Sequence, residues 1–361
     1  MAGHAGGTVY RIEAEKLKEF CRSAFRRAGT SEEHAWLLAD ALVEADLRGV
    51  ETHGCSRLGM YVERMGTGSI NPRPRLRMVR EHGATAVLDG DRAMGQLATW
   101  EAMGRAMDLA EIHGVGVVAV RDSGHAGALG YPAARALVRD MIGSVTTNTG
   151  PLMAPWGGAR PVLGNNPFAM AIPSDAGFPV VLDTALSVVA RGHIIMAARR
   201  GKPIPEGWAI DLEGRPTTDP EAALLGSVLP IAGYKGYGMA LMLEILTGVL
   251  AGGTFGSDVG RFAGGDPRRP VDMSHLVVVL RVASLMDVAE FRARVARLLQ
   301  QVKSSRRPDT AGEVLVPGER SWRKRERRLR EGIPLEEATA VILRKVSCDL
   351  DLEPPALEPL S

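Results

Sequence analysis

A short apolar run, Val115 followed by Val117-Val118-Ala119-Val120, breaks directly into Arg121-Asp122-Ser123-Gly124-His125-Ala126-Gly127-Ala128-Leu129-Gly130-Tyr131. A run of this kind that does not alternate with polar residues predicts a strand covered on both faces, which only a layered fold supplies. The glycines behind it permit tight backbone and close ligand approach, so the turn presents His125 as a proton-transfer group at a strand end.

The surrounding pattern agrees. Ala84 to Leu88 reads as a strand, Gln96 to Ile112 as a helix and Tyr131 to Arg139 as another, with further strands at Ile142 to Thr147, Phe168 to Ile172 and Pro179 to Leu182. This alternation predicts a mixed α/β or α+β, β-rich unit over 76–234. Before it, in 1–75, Leu17, Phe20, Cys21, Ala24 and Phe25 share one helical face over 11–28, which stops at Gly29. Thr30-Ser31-Glu32-Glu33 reads as a capping box that opens a second helix, running out at Arg48-Gly49. The remainder, 235–361, is expected to be a helical unit packing with the N-terminal segment. It starts with a helix over 239–250 behind the turn Gly233 to Gly238, and includes an apolar strand over Leu276 to Val282. An amphipathic helix over 291–302 and a charged one over 319–331 follow, and the last ten residues read as a frayed tail.

Composition narrows the function. The 44 basic and 42 acidic residues nearly cancel to +2, so no global field points to nucleic acid or an anionic membrane, and the partner is expected to be a small molecule. The charges over 319–331 read as a solvated helix face rich in i,i+4 pairs. Cys21, Cys55 and Cys348 have no paired spacing, which suits a reducing compartment, the cytoplasm by default. The Met1 to Gly7 stretch has no basic or long apolar region of a secretory leader, and no run is long enough to span a membrane.

Two histidines stand apart, each among glycines or small polar residues at the end of a regular element: His125 and, in Glu51-Thr52-His53-Gly54-Cys55-Ser56-Arg57-Leu58, His53. Imidazole exchanges protons near neutrality, as oxidation of an alcohol or reduction of a carbonyl requires, although either ring is also a plausible structural hydrogen-bonder. Arg57, four residues after His53 and so on the same side of any helix that starts there, is placed to clamp a carboxylate, the alternative being a surface ion pair. No His-x-x-x-His or carboxylate cluster accompanies either histidine, so no metal is expected. Gly164-Asn165-Asn166-Pro167 before a strand and Asp183-Thr184-Ala185 at the end of one are polar turns able to face a nucleotide. Gly233-Tyr234-Lys235-Gly236-Tyr237-Gly238 opens a helix where free N–H groups and a lysine favour phosphate. Neither a P-loop nor a Gly-x-Gly-x-x-Gly fingerprint is present, so a bound dinucleotide requires a non-Rossmann frame.

In order and spacing these segments, together with Ile204-Pro-Glu-Gly-Trp208, Pro216-Thr-Thr-Asp-Pro220 and Pro317-Gly318-Glu319-Arg320, resemble the type 2 malate/L-lactate dehydrogenase family over nearly the whole chain. The resemblance implies a non-Rossmann mixed α/β fold and a homodimer. It also implies an NAD- or NADP-dependent oxidoreductase that moves hydride between nicotinamide and a small 2-hydroxy or 2-oxo carboxylate. His125 and His53 match the two histidines from which the acid/base residue is drawn, with His125 ranked first. Thr52 matches a site hydroxyl and Arg57 the substrate-carboxylate ligand. Asn148, Thr149, Gly164, Asn165, Asn166, Pro167, Asp183, Thr184, Ala185, Lys235, Gly236, Pro317, Gly318 and Glu319 match positions lining the cofactor.

The chain departs from the family pattern in ways that bear on substrate and on NAD versus NADP. Thr52 stands for serine, Ala126 for phenylalanine, Asn165 for threonine and His193 for lysine or arginine. Two other readings remain at this stage: reduction of a cyclic imine on the same frame, and a nucleotide-binding protein without catalysis.

Overall fold

The computed structural model describes residues 8–308 and 312–360, so the Met1 to Gly7 stretch read above lies outside the described residues. The chain divides into two units. One comprises 1–74, 174–180 and 289–361, and the other 75–173 and 181–288.

The second unit is built on a seven-stranded mixed sheet. Its strands run in the order Arg77–His82, Thr85–Ala93, Val115–Ser123, Met273–Arg281, Met141–Thr147, Phe168–Ile172 and Val180–Thr184. The apolar run that anchors the sequence pattern is a central strand, parallel to 85–93 and antiparallel to 273–281. Both of its faces are covered. The helix Gly95–His113 packs so closely on one side that a Cβ at Gly116 would overlap the Ala106 carbonyl. On the other side Ala119 joins Leu276 and Ala251 in a small apolar cluster.

Because the 273–281 strand lies inside this sheet, residues 235–288 go with it, whereas the sequence pattern set the boundary after 234. The helix expected from Met239 begins at Tyr234 and widens into a π turn over Ile245–Val249. The helix expected over 131–139 splits into Gly130–Ala134 and a 3₁₀ turn over Arg135–Arg139.

The first unit opens with the helices Ala14–Arg27 and Glu32–Leu47, whose predicted apolar positions are buried. The N-cap of the second is Ser31, which accepts from the His34 N–H at 3.2 Å. That moves the cap one residue beyond Thr30 and puts a histidine at the third helical position, so no reciprocal glutamate closes a capping box. Residues 11 and 12, expected within the first helix, belong instead to a strand, Val9–Ile12, between Ile333–Glu336 and Glu358–Pro359. The tail is therefore paired rather than frayed, with the Leu360 N–H donating to the Val9 carbonyl at 2.7 Å. The charged stretch is a helix, Glu319–Glu331. No described helix is long and apolar enough to cross a membrane.

Candidate active site

In the first unit, His53 ends a 3₁₀ turn over Glu51–His53 and Arg57 ends a second over Cys55–Arg57, so the pair does not share the face of one continuous helix. Arg57 reaches back instead, its Nε donating to the Thr52 carbonyl at 2.6 Å. The Thr52 hydroxyl lies 3.0 Å from Nδ1 of His53. His53 keeps some accessible surface, yet the protein packed round it, helped by the positive charge of Arg57, pushes its pKa down to about 4. Its imidazole is neutral at pH 7.

This turn rests on a buried carboxylate. Asp46, 1% exposed, accepts the Cys55 N–H at 2.8 Å, and a Cβ at Gly54 would overlap its carboxyl group. Arg328 donates to the Asp46 carbonyl and, through Nη2, to Glu51 at 2.7 Å, tying the end of the preceding helix and the start of the turn to the charged helix. Burial drives the Asp46 carboxyl up to about 7, against the Cys55 N–H that favours its charged form. Pro317 is exposed at the start of that helix, but Glu319 is buried and committed to Lys303, to Arg323 at 2.5 Å and to the Val316 N–H at 3.3 Å.

In the second unit, His125 follows the central strand as expected. Its ring stacks on Phe262 with centroids 4.5 Å apart and planes 2° apart, and its Nδ1 accepts the Gly127 N–H at 3.3 Å. Accepting there leaves the proton of the neutral ring on Nε2. Behind the turn, buried His275 bridges two strand ends. Its Nδ1 is 2.8 Å from the Thr147 hydroxyl and its Nε2 is 3.2 Å from that of Ser123. Burial pushes the His275 pKa down to about 3, against the Gly124 carbonyl, so it is a fixed neutral brace.

The polar turns gather on the same unit. Asp183 takes the Gly130 N–H at 2.8 Å. Its side chain retains open surface, while the density of protein round it raises the carboxyl to about 6 despite that bond and one from the Leu129 backbone. Thr184 donates to the Ala185 carbonyl at 3.1 Å. The Thr149 hydroxyl is 3.0 Å from Oδ1 of Asn165, and both side chains are half-buried. A Cβ at Gly164 would overlap Thr149, and Pro167 closes this turn with its carbonyl accepting from Thr146 at 2.9 Å. Asn148 and Asn166 are fully buried, with side chains spent on internal bonds to Glu244. Lys235 is exposed in the first turn of Tyr234–Glu244, and Gly236 is buried against the Ile231 carbonyl.

Asp46, Glu244, Phe262 and His275 escaped the sequence reading. His275 carried a signal, a histidine at the head of an apolar strand, and so did Glu244, an acid in an apolar helix. For Asp46 and Phe262 no local pattern exists, because each acts on a segment distant in sequence.

The first unit thus carries a histidine–arginine turn, and the second carries a histidine turn together with polar turns suited to a nucleotide, which are the kinds of group that a nicotinamide-dependent dehydrogenase uses. The malate/L-lactate dehydrogenase family model matches residues 12–344, and the chain belongs to that family of oxidoreductases. It is 37% identical to the malate/(S)-sulfolactate dehydrogenase of Methanothermus fervidus over 95% of this chain and 98% of that one. The solved sulfolactate dehydrogenase of Methanocaldococcus jannaschii superposes with a TM-score of 0.88 at 37% identity, over 95% of this chain and 98% of that one. A Δ1-piperideine-2-carboxylate reductase from Pseudomonas syringae pvar. tomato has the same fold, with a TM-score of 0.83 at 27% identity over 93% and 99% of the two chains. The mixed α/β, non-Rossmann architecture is that of these dehydrogenases, and a nicotinamide cofactor goes with it.

Proposed function

We propose that the chain oxidises and reduces small 2-hydroxy and 2-oxo acids of the malate, lactate or sulfolactate type with NAD or NADP, and that His53 carries the proton. The observation behind the choice of histidine is the pair of contacts at Nδ1. A base working through Nε2 needs Nδ1–H in both protonation states, and the Thr52 hydroxyl, which can accept as well as donate, is placed to take that hydrogen in both, so His53 can take a proton without rearrangement. At His125 the Gly127 N–H already occupies Nδ1, so its Nε2–H serves as a neutral hydrogen-bond donor to a substrate oxygen. Arg57, with Nε held by the Thr52 carbonyl and Nη1 on Sδ of Met60 at 3.5 Å, offers Nη2 to the substrate carboxylate.

The nicotinamide cofactor fits the donors of the second unit. The helix from Tyr234 begins without a side-chain cap and carries exposed Lys235 in its first turn, which favours phosphate, while Thr149, Asn165, Asp183, Thr184 and Ala185 offer polar groups to ribose and amide. Asn148, Gly164, Asn166, Pro167 and Gly236 shape these turns; Pro317, Gly318 and Glu319, which belong to the first unit, are cofactor positions by family resemblance alone. When bound, the nicotinamide ring supplies the hydride acceptor or donor, and the residues named above orient substrate and move its proton.

The helix and π turn also expose Met239, Met242, Leu246, Val249 and Leu250, an apolar surface that supports the homodimer the family resemblance implies. Met242→Arg is expected to give a monomer by light scattering. Cys21 and Cys55, buried side by side as thiols with sulfurs 3.4 Å apart, accord with a reducing cytoplasm.

The direct test mixes purified protein with NAD or NADP and a panel of 2-hydroxy acids, and follows the absorbance of reduced nicotinamide. Turnover of at least one acid is expected. Reduction of a cyclic imine carboxylate in preference to every 2-oxo acid would favour the reaction of the piperideine-2-carboxylate reductase, and no turnover with any of them would overturn both readings.

A further inference from the structure

Glu244 is a carboxylate 3% exposed that accepts only neutral N–H groups. Its Oε1 receives Nδ2 of Asn148 at 3.2 Å and the Gly256 N–H at 2.8 Å, and its Oε2 receives Nδ2 of Asn166 at 2.7 Å. Three segments far apart in sequence thus meet on one side chain. They are the end of the 141–147 strand, the turn before the 168–172 strand and the loop after the π turn.

Each asparagine passes the constraint on. Asn166, held with φ at 29°, accepts the Thr149 N–H on Oδ1 at 3.1 Å, and its Nδ2 also donates to the Ala240 carbonyl at 2.9 Å. Asn148 accepts the Ser274 N–H at 2.8 Å and donates to the Thr254 carbonyl at 2.9 Å. Thr149 and Asn165, half-buried and joined at 3.0 Å through hydroxyl and Oδ1, are the immediate neighbours of these two anchors. The helix bearing Glu244 changes to π geometry at the very next residue, Ile245, and a Cβ at Gly248 would crowd Nδ2 of Asn148 and Phe255. Wide turns of this kind cost helix regularity and recur where a side chain must be aimed.

We propose that Glu244 is a positioning residue for cofactor binding, fixing the Thr149 and Asn165 turns through Asn148 and Asn166 without touching the cofactor itself. The proposal rests on the reading that these turns hold the dinucleotide.

The chemistry makes a conservative variant informative. Glu244→Gln keeps size and shape but turns an NH₂ toward one of the three N–H donors, so at least one buried donor loses its acceptor. Hydrogen bonds to a charged group are worth enough to shift a binding constant by about tenfold or more. The expected result is a rise of about tenfold in KM for the preferred nicotinamide cofactor, with KM for the hydroxy acid and kcat changed less than about threefold. Glu244→Asp, which keeps the charge but shortens the reach, should show the same split at smaller size, and serves if the Gln variant does not fold. A merely structural carboxylate would lower the melting temperature and leave the two KM values in their original ratio, and that result overturns the proposal. Asn165→Ala separates the two claims. If it raises the cofactor KM and both Glu244 variants do not, Glu244 is not the positioning residue, and if it too leaves the cofactor KM unchanged, the assignment of the turns to the cofactor fails.

Discussion

The hydroxyl of Thr52 lies 3.0 Å from Nδ1 of His53, within hydrogen-bond reach, and a proton carried on Nδ1 toward that hydroxyl makes Nε2 the basic nitrogen of the ring. The arrangement comes from the two short turns over 51–57, in which Arg57 binds the Thr52 carbonyl and Asp46 binds the Cys55 N–H.

The first prediction concerns pH. Burial and Arg57 push the His53 pKa down to about 4, so the base is already neutral well below the usual histidine range. The acid limb of kcat/KM for hydroxy-acid oxidation, which reports the free enzyme, should accordingly fall near pH 4 rather than near 6.5. A limb at about 6.5 that moves in a His125 variant would show the proton to be carried by His125.

Asp46 gives a stability prediction of definite sign. Its carboxyl is raised to about 7 in the folded protein against roughly 3.9 unfolded, so the folded state binds more protons between those values. Its contribution is fully present below about pH 4 and is lost as pH rises through about 7. Asp46→Asn retains an acceptor for the Cys55 N–H and removes this dependence. Relative to the unsubstituted protein, the variant should gain on the order of 2–4 kcal/mol between about pH 4 and pH 8. Parallel melting curves across that range would refute the assignment.

The Phe262 ring stacks on His125 and is placed to hold its plane. Phe262→Leu keeps the apolar contact, loses the stack and should lower kcat by roughly threefold to tenfold, in keeping with about 0.5–1.5 kcal/mol for a ring pair. KM for the cofactor should not change. An unaltered kcat would mean that the turn alone orients His125.

Much of the frame was legible because it is locally encoded. The run over 115–120 and the helix packed on it are specified by apolar periodicity, and so are the first two helices. The strand Val9–Ile12 was not, because its four residues gain strand character only from partners more than 300 positions away. The same distinction runs through the site. His53, His125 and Arg57 sit in turns whose composition announces them, whereas Glu244 and Asp46 act on backbone brought close by the fold alone. The spacing of His53 and Arg57 suggested a shared helical face, and the glycine between them, placed where Asp46 leaves no room for a Cβ, breaks that helix into two turns.

The most direct test compares kcat for hydroxy-acid oxidation in His53→Gln and His125→Gln at saturating cofactor, with each variant confirmed to bind the cofactor. His53→Gln should lose roughly 10²–10⁴ of the rate, as expected for removal of a general base, and His125→Gln about tenfold, as for a single hydrogen bond. The reverse order, or full activity in His53→Gln, would contradict the assignment of proton transfer to His53.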